Sequence, residues 1–275
     1  GVFITGFDNS PIFTNCMVTG NYSDDEGGGI YSESDTKIIG CLVTQNENGS
    51  GVVLGGGGLF LGKKNFDILN STFSSNQSSK GSSIYLWEGS LELFNSIFWD
   101  TDPGVGSKVF LNGTGAQTTA GFYHSTMQEG EASIEESGSV NLIYGPGMIE
   151  ENPIFKDPQN GDFRLQLGSP CIDSGMLDSL AIMLPDKDID SMPRISGNTI
   201  DMGCYEFQGG TSVNEGEPDN DVVVFPVPCR DIINILSEKV EIMSIALFSE
   251  TGIQCLTEDD FVENKKGHEF LCNTS

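Results

Sequence analysis

Basic residues are scarce in this chain. Thirteen Lys and Arg stand against 40 Asp and Glu, for a formal net charge of -27, and no arginine precedes Arg164. Nucleic-acid phosphates and anionic lipid surfaces are held by clustered Lys and Arg, so neither is an expected partner. The acidic balance fits a solvated protein outside a cell, and also a chain that attracts divalent cations. No apolar run approaches the roughly 20 residues of a spanning helix, so membrane insertion is not expected. The seven cysteines include no CxxC pair, which removes the usual zinc signatures. Gly55 to Gly58 resemble a phosphate loop in composition only, with no Gly-Lys-Ser/Thr after them. Helix-favouring runs are missing, and Gly and Asn interrupt the chain every few residues. No leader precedes the first repeat, so the sequence reads as a piece cut at the front and at the back.

What is present is a repeat. Asn15-Cys16-Met17-Val18, Gly40-Cys41-Leu42-Val43, Asn70-Ser71-Thr72-Phe73, Asn95-Ser96-Ile97-Phe98 and His124-Ser125-Thr126-Met127 recur at intervals of about 25–30 residues. A second series keeps step with the first: Val2-Phe3, Ile30-Tyr31, Leu59-Phe60, Ile84-Tyr85 and Val109-Phe110. A unit this short cannot bury a core alone, so each must stack on its neighbours. Short alternating segments such as Phe66-Asp67-Ile68-Leu69 and Leu91-Glu92-Leu93-Phe94 make the units strands. The expected fold is all-β: a solenoid of parallel strands over residues 1–145, with about five turns.

The slots then form ladders. Val18, Val43, Phe73, Phe98 and Met127 are expected to point inward, with the Cys/Ser slot on the same face two residues earlier. Asn15, Asn70 and Asn95 suit a turn, because Asn tolerates left-handed backbone angles. His124 shares their slot, and a turn role is favoured over a catalytic one. In the second series one ladder is aliphatic and the other aromatic. The aliphatic one is expected inside, leaving Tyr31, Phe60, Tyr85 and Phe110 as an aromatic stripe outside. Such a stripe is a candidate glycan-binding surface, because pyranose rings stack on aromatic faces. The alternative is a stripe covered by a loop or by another chain.

The glycine-led units Gly27-Gly28-Gly29-Ile30 and Gly56-Gly57-Gly58-Leu59, with Phe73-Ser74-Ser75-Asn76, resemble the GGxI and FxxN repeats of outer-membrane adhesins. The repeats as a whole are similar to right-handed parallel β-helices of the pectin-lyase-like class. Asn152-Pro153-Ile154-Phe155, Gly161 to Leu165, Ser169 to Gly175, Asp186 to Arg194 and Asp201 to Glu206 occur in that order. This series resembles the region that closes the β-helix in secreted bacterial proteins of the choice-of-anchor Q type. Residues 146–208 are therefore expected to close the solenoid, with Arg164, Arg194, Asp173, Asp201 and Glu206 in a polar network. Cys171 and Cys204 fall inside these motifs and are open to pairing. Asp186, Asp188 and Asp190 alternate as in a calcium loop. Ser191 and Met192 follow instead of the Gly and distal Glu of an EF-hand, so a solvated turn with one structural ion pair competes with calcium.

Residues 209–221 are rich in Gly, Ser, Asn, Glu and Pro and read as a flexible linker. Alternating segments resume from Val222, and a small, truncated antiparallel β-sandwich is expected over 222–275. Val224 to Asp231, Ile233-Asn234-Ile235 and Leu247 to Gly252 resemble the C-terminal sorting domain of type IX secretion substrates from Bacteroidetes-type bacteria. Pro226-Val227-Pro228 replaces the usual Pro-Asn-Pro. The resemblance implies the type IX secretion machinery as a partner, and an extracellular or cell-surface location.

For activity the residues leave two readings. A uronate lyase needs a base and a cation to neutralise the substrate, but the turns hold only Lys37, Lys63, Lys64, Lys80 and Lys108. A glycosidase needs two carboxylates. Asp67 and Glu92 lie at equal offsets in successive turns, yet such pairs arise by chance on a solenoid. No catalytic residue is assigned. The expected task is binding a glycan or another surface polymer, as an adhesin does. The alternative is a polysaccharide lyase or glycoside hydrolase whose active turns lie largely outside this sequence.

Overall fold

The structure, a computed structural model, describes residues 1–6, 10–49, 54–100, 107–177 and 184–209, together with the backbone of strands within 222–273. The chain divides into two compact units, Gly1–Gly209 and Gly210–Ser275.

The first unit is a parallel β-helix of about five turns. Val2–Ile4, Ile30–Ser32, Leu59–Leu69, Ile84–Phe94, Val109–Tyr123 and Ile134–Tyr144 lie side by side in one sheet, which Ile12–Thr14 and Thr36–Ile39 extend in the first two turns. Met17–Thr19, Leu42–Thr44, Thr72–Ser74, Ile97–Phe98 and Thr126–Met127 form a second sheet. Every pairing in both sheets is parallel, and the expected ladders are in register: Val18 opposite Val43, Val43 opposite Phe73, Phe73 opposite Phe98, and Phe98 opposite Met127. All five side chains are buried. Phe73 and Phe98 stack with centroids 4.6 Å apart. In the turn that starts at Leu59, the residues Leu59, Leu61, Phe66, Ile68 and Phe73 all enter the core. Each such burial contributes about 1.5–3 kcal/mol before conformational entropy is counted.

Between the two sheets the chain turns through a left-handed residue. Asn15, Gly40, Asn70, Asn95 and His124 have φ of 49°, 63°, 44°, 51° and 44°. This explains why Asn and Gly fill the slot, and it assigns His124 to a turn. The next slot carries a hydroxyl ladder. Ser71 N donates to Ser96 Oγ at 3.1 Å and Ser96 N to Ser125 Oγ at 2.9 Å, while each Oγ donates to the carbonyl two residues back. Cys41 and Cys16 hold the same slot as free thiols.

Residues 146–151 do cover the last turn. His124 N donates to Pro146 O, and Met127 N to Ile149 O, each at 3.0 Å. From Asn152 onward the chain does not close the end. It folds back along the flank of the solenoid at the asparagine corner. Asn70 Nδ2 donates to Asp201 O at 2.9 Å, Met176 N to Asn95 Oδ1 at 2.8 Å, and Cys204 N to Thr72 Oγ1 at 3.1 Å. Asn15 Nδ2, in the first turn, donates to Lys187 O at 2.9 Å. Two features of the flank demand this cover. The turn conformation aims the asparagine amides outward, and Leu42 and Ile97 present apolar side chains there. Phe155, Phe163, Leu165, Cys171, Met202, Cys204 and Tyr205 pack against those two residues. The segment is a lateral buttress. Cys171 and Cys204 are free thiols in that cluster, not a disulfide.

The second unit is antiparallel, as its alternation predicts. Val222–Phe225, Ile232–Ser237, His268–Asn273 and Phe261–Asn264 form a four-stranded sheet in that order, and Leu247–Phe248 pairs with Gln254–Leu256. The linker expected over 209–221 lies outside the described residues except for Gly209, as does Pro226-Val227-Pro228.

Candidate functional site

Strand alternation places five rows of side chains on the outer face of the first sheet. At one margin stand Tyr31, Phe60, Tyr85 and Phe110, in register across four strands. Consecutive rings stack at 5.0, 5.4 and 5.0 Å between centroids. The ladder forms as expected, but it is not an exposed stripe: Phe60, Tyr85 and Phe110 are 0%, 1% and 3% exposed. Described residues between the turns cover it. Leu54 packs on the rings and Lys80 Nζ stands 4.9 Å from the Phe110 centroid. Asn112 Nδ2 donates to the buried Tyr85 hydroxyl at 2.7 Å. A ring sealed this way offers no face to a sugar. Tyr31 alone of the four is partly open, and it borders a cleft of 490 Å³ with Phe3, Tyr22, Asp25 and Glu26. Burial and a hydrogen bond to Glu33 push the Tyr31 hydroxyl up to about 12.

At the opposite margin stand Ile39, Leu69, Phe94 and Tyr123, in register. Phe94 and Tyr123 stack at 4.8 Å. Met176 and Leu184 of the buttress pack over this row. Both margins are therefore covered, each by a different part of the chain.

Between them lies an open polar strip. Its first row is Glu33, Gly62, Trp87 and Asn112, with Trp87 partly exposed and Lys63 Nζ 4.4 Å from its ring centroid. The next row holds Asp35, Asn65, Ser90 and Thr119. Asn65 N donates to Asp35 Oδ1 at 2.8 Å, and Ser90 Oγ donates to Asn65 Oδ1 at 2.7 Å. The third row is Lys37, Asp67, Glu92 and Gly121, again in register. Lys37 Nζ pairs with Asp67 Oδ2 at 2.7 Å, with both side chains about one-third exposed. Glu92 is exposed at its tip, but desolvation against its surroundings, and then the charge of Asp67, raise its carboxyl above the ordinary range. Gly121, at the end of this row, is buried beneath Tyr123 and Glu92. A Cβ there would stand 2.8 Å from both Glu92 Oε2 and Tyr123 Oη, so these two groups converge over it. The Tyr123 hydroxyl is raised by burial and then by Glu92.

The strip is not built for a uronate. Lys37 pairs with Asp67, Lys63 lies over Trp87, Lys80 over Phe110, and Lys108 is buried against Asp100 at 2.5 Å. That last ion pair, inside the solenoid, has no signal in the repeat pattern. Trp87 was equally hidden: it follows the aromatic slot by two residues and its turn alone carries an aromatic there.

Asp186, Asp188 and Asp190 do not gather around one point. Asp188 is buried and accepts from Asp190 N, Met192 N and Glu206 N, each at 2.9 Å. Asp190 takes a bidentate fork from Arg164 at 2.6 and 3.0 Å, while Asp186 is exposed. No group of three His, Cys, Asp or Glu among the described residues is arranged to hold a metal ion. The loop owes its shape to Asp188 as an acceptor of backbone N–H groups. The expected polar network exists in altered form. Arg194 donates to Cys204 O at 3.0 Å and Gly203 O at 2.7 Å and lies 3.8 Å from Glu206 Oε2. Asp201 Oδ1 accepts from Asp173 N at 2.8 Å. Arg164 stands apart with Asp162 and Asp190, over the Tyr205 ring.

Comparison with known protein families, with curated proteins and with solved structures finds no match.

Proposed function

We propose that this protein binds a glycan chain laid along the solenoid axis on the polar strip. The observation that carries the reading is the strip itself: three in-register outward rows left open between two covered margins. Adjacent strands advance about 4.8 Å, so a polymer running along the axis meets a new set of outward groups at each turn. Asn65, Ser90, Asp35 and Glu92 supply hydroxyl-matching donors and acceptors. Trp87, partly exposed with Lys63 over its ring, supplies the aromatic surface. The ligand surface is thus moved from the aromatic row to its polar neighbours. The acids Glu33, Asp35, Asp67 and Glu92 favour a polymer without carboxylates.

Such polymers are met outside a cell. Export through type IX machinery, and a place at the cell surface, belong to this same proposal and are supported by the motif resemblance after Val222. The test is affinity electrophoresis of the full chain in gels containing soluble neutral polysaccharides, with polygalacturonate as the acidic control. Retardation by a neutral polymer is expected, weakened about tenfold in Trp87→Ala and Asn65→Ala, corresponding to about 1.4 kcal/mol. No retardation by any polymer, or retardation unchanged in both variants, sinks the reading.

A further inference from the structure

The polar strip does not run the whole length of the solenoid. We propose that it receives the end of a neutral glycan chain rather than its middle, with residues 114–117 as the wall that the terminal sugar meets. The proposal rests on the binding reading above.

The wall comes from a local excess of chain. In the fourth turn only Glu88 separates Trp87 from Gly89. In the fifth, the partners of Trp87 and Gly89 are Asn112 and Thr118, so five residues span the place that one fills in the turn before. Leu111 and Ala120, on either side of this stretch, are buried in the core, which leaves the surplus only the outer face. Residues 114–117 are all exposed there. Extra residues of this kind interrupt the ladder and are common beside functional sites. The root of the bulge is fixed. Asn112 Oδ1 accepts from Thr114 N at 3.0 Å, Asn112 Nδ2 donates to the buried Tyr85 hydroxyl at 2.7 Å, and Thr118 Oγ1 donates to Asn112 O at 2.8 Å. The tip leans back on the fourth turn, where Gly115 lies against the Glu88 carboxylate.

The fifth turn therefore shuts rows that are open in the turns before it. In the first row Trp87 is partly exposed, but Asn112 is only 9% exposed and its amide is engaged at both ends. In the third row Glu92 is exposed, but Gly121 is buried, with a Cβ position 2.8 Å from Tyr123 Oη. Its partner in the following strand is the exposed, apolar Ile143, so the polar character of that row ends here. Only Thr119 of the middle row stays partly open, in the strand between the bulge and Tyr123. What remains open runs from Glu33 to Trp87, from Asp35 to Ser90 and from Lys37 to Glu92, three strands wide. Two strand spacings are about 10 Å, room for a few sugars against a wall. An internal sugar placed at the wall would have to carry its next unit through the bulge. A terminal sugar has a free hydroxyl at that position, and Thr114 and Gln117 offer a hydroxyl and an amide to it.

The test uses the full chain and the neutral polymer that retards it in the gel. That polymer is cut to about one-tenth of its mean length and compared with the uncut form at equal mass. Recognition of chain ends predicts an apparent affinity per unit mass about tenfold higher for the cut polymer, because it holds about ten times as many ends. Deletion of residues 114–117 joins Gly113 to Thr118 and gives the fifth turn the spacing of the fourth. This variant is expected to bind the uncut polymer more tightly than the unaltered chain does, and to bind both lengths alike. A gain of binding is not a result that misfolding can produce. Tyr123→Ala, which uncovers Gly121, is expected to move binding the same way by a smaller factor. Retardation of the unaltered chain that is independent of polymer length overturns the proposal and leaves binding standing. A preference for the cut polymer that persists in both variants overturns the bulge as the wall. No retardation by any neutral polymer overturns this proposal and the binding reading together.

Discussion

The turn slot shows how a single residue sets the solenoid. Position 70 needs φ of 44°, and its side chain also donates to Asp201 O at 2.9 Å inside the protein. Asparagine meets both demands. Alanine meets neither: the left-handed backbone costs an L-residue about 1–2 kcal/mol, and a buried carbonyl left without its donor costs about 1–3 kcal/mol. Asn70→Ala should therefore lose about 2–4 kcal/mol in urea denaturation, and Asn70→Gly should recover the backbone part only. Equal losses in the two variants would show that the hydrogen bond carries the whole effect. Gly40 and His124 occupy the same slot without a contact to the buttress of the kind made by Asn70 and Asn95. The slot is thus a backbone requirement first and a docking point second.

At the scale of elements, the buttress is the part least legible in the sequence. The ladders were legible because repetition samples each slot five times, so Val18, Val43, Phe73, Phe98 and Met127 declare one another. The buttress occurs once. Its motifs marked the residues, but not that Asn70 and Asn95 would receive it along the flank. The aromatic row misled for a related reason, since cover by Leu54 and Lys80 depends on loops outside the repeat. The buttress also carries a buried charged cluster. Asp188, Asp201 and Glu206 are buried around one buried guanidinium, Arg194. Burial, then the charge of Asp201, pushes Glu206 up to about 8, and burial raises Asp201 to about 6. An acid whose folded value lies above its unfolded one holds its proton longer in the native state. Stability is then fully present below the unfolded values near 4 and falls as pH rises through 6 toward 8. Calorimetry of the full chain should give a higher midpoint for Gly1–Gly209 at pH 5 than at pH 8. Glu206→Gln should flatten that slope, and a slope unchanged in this variant would remove Glu206 as its source.

For the whole molecule, the buttress alters what kind of solenoid this is. A stack in which each turn touches only its neighbours frays from its ends, and its cooperativity is limited by the interfaces between turns. Here one segment contacts Asn15 in the first turn, Asn70 and Thr72 in the third, and Asn95 in the fourth. Turns that share no strand pairing are thereby tied together, and Gly1–Gly209 should unfold in one step. Gly203 offers a way to break the tie. Its φ is 93°, and a Cβ there would meet Ile97 Cδ1 at 2.7 Å and Thr72 Oγ1 at 2.8 Å, so Gly203→Val wedges the buttress away from the flank. Both tryptophans, Trp87 and Trp99, lie in this unit, and Trp99 packs in the cluster under the buttress. Tryptophan fluorescence in urea should show a single transition for the unaltered chain. In Gly203→Val the transition should broaden or split, with a smaller dependence on denaturant, while the far-ultraviolet strand signal persists at low urea. A variant that unfolds in one transition of unchanged steepness would mean that the stacked turns supply the cooperativity themselves. The open strip would then depend on the buttress only through the cover that Met176 and Leu184 give to its far margin.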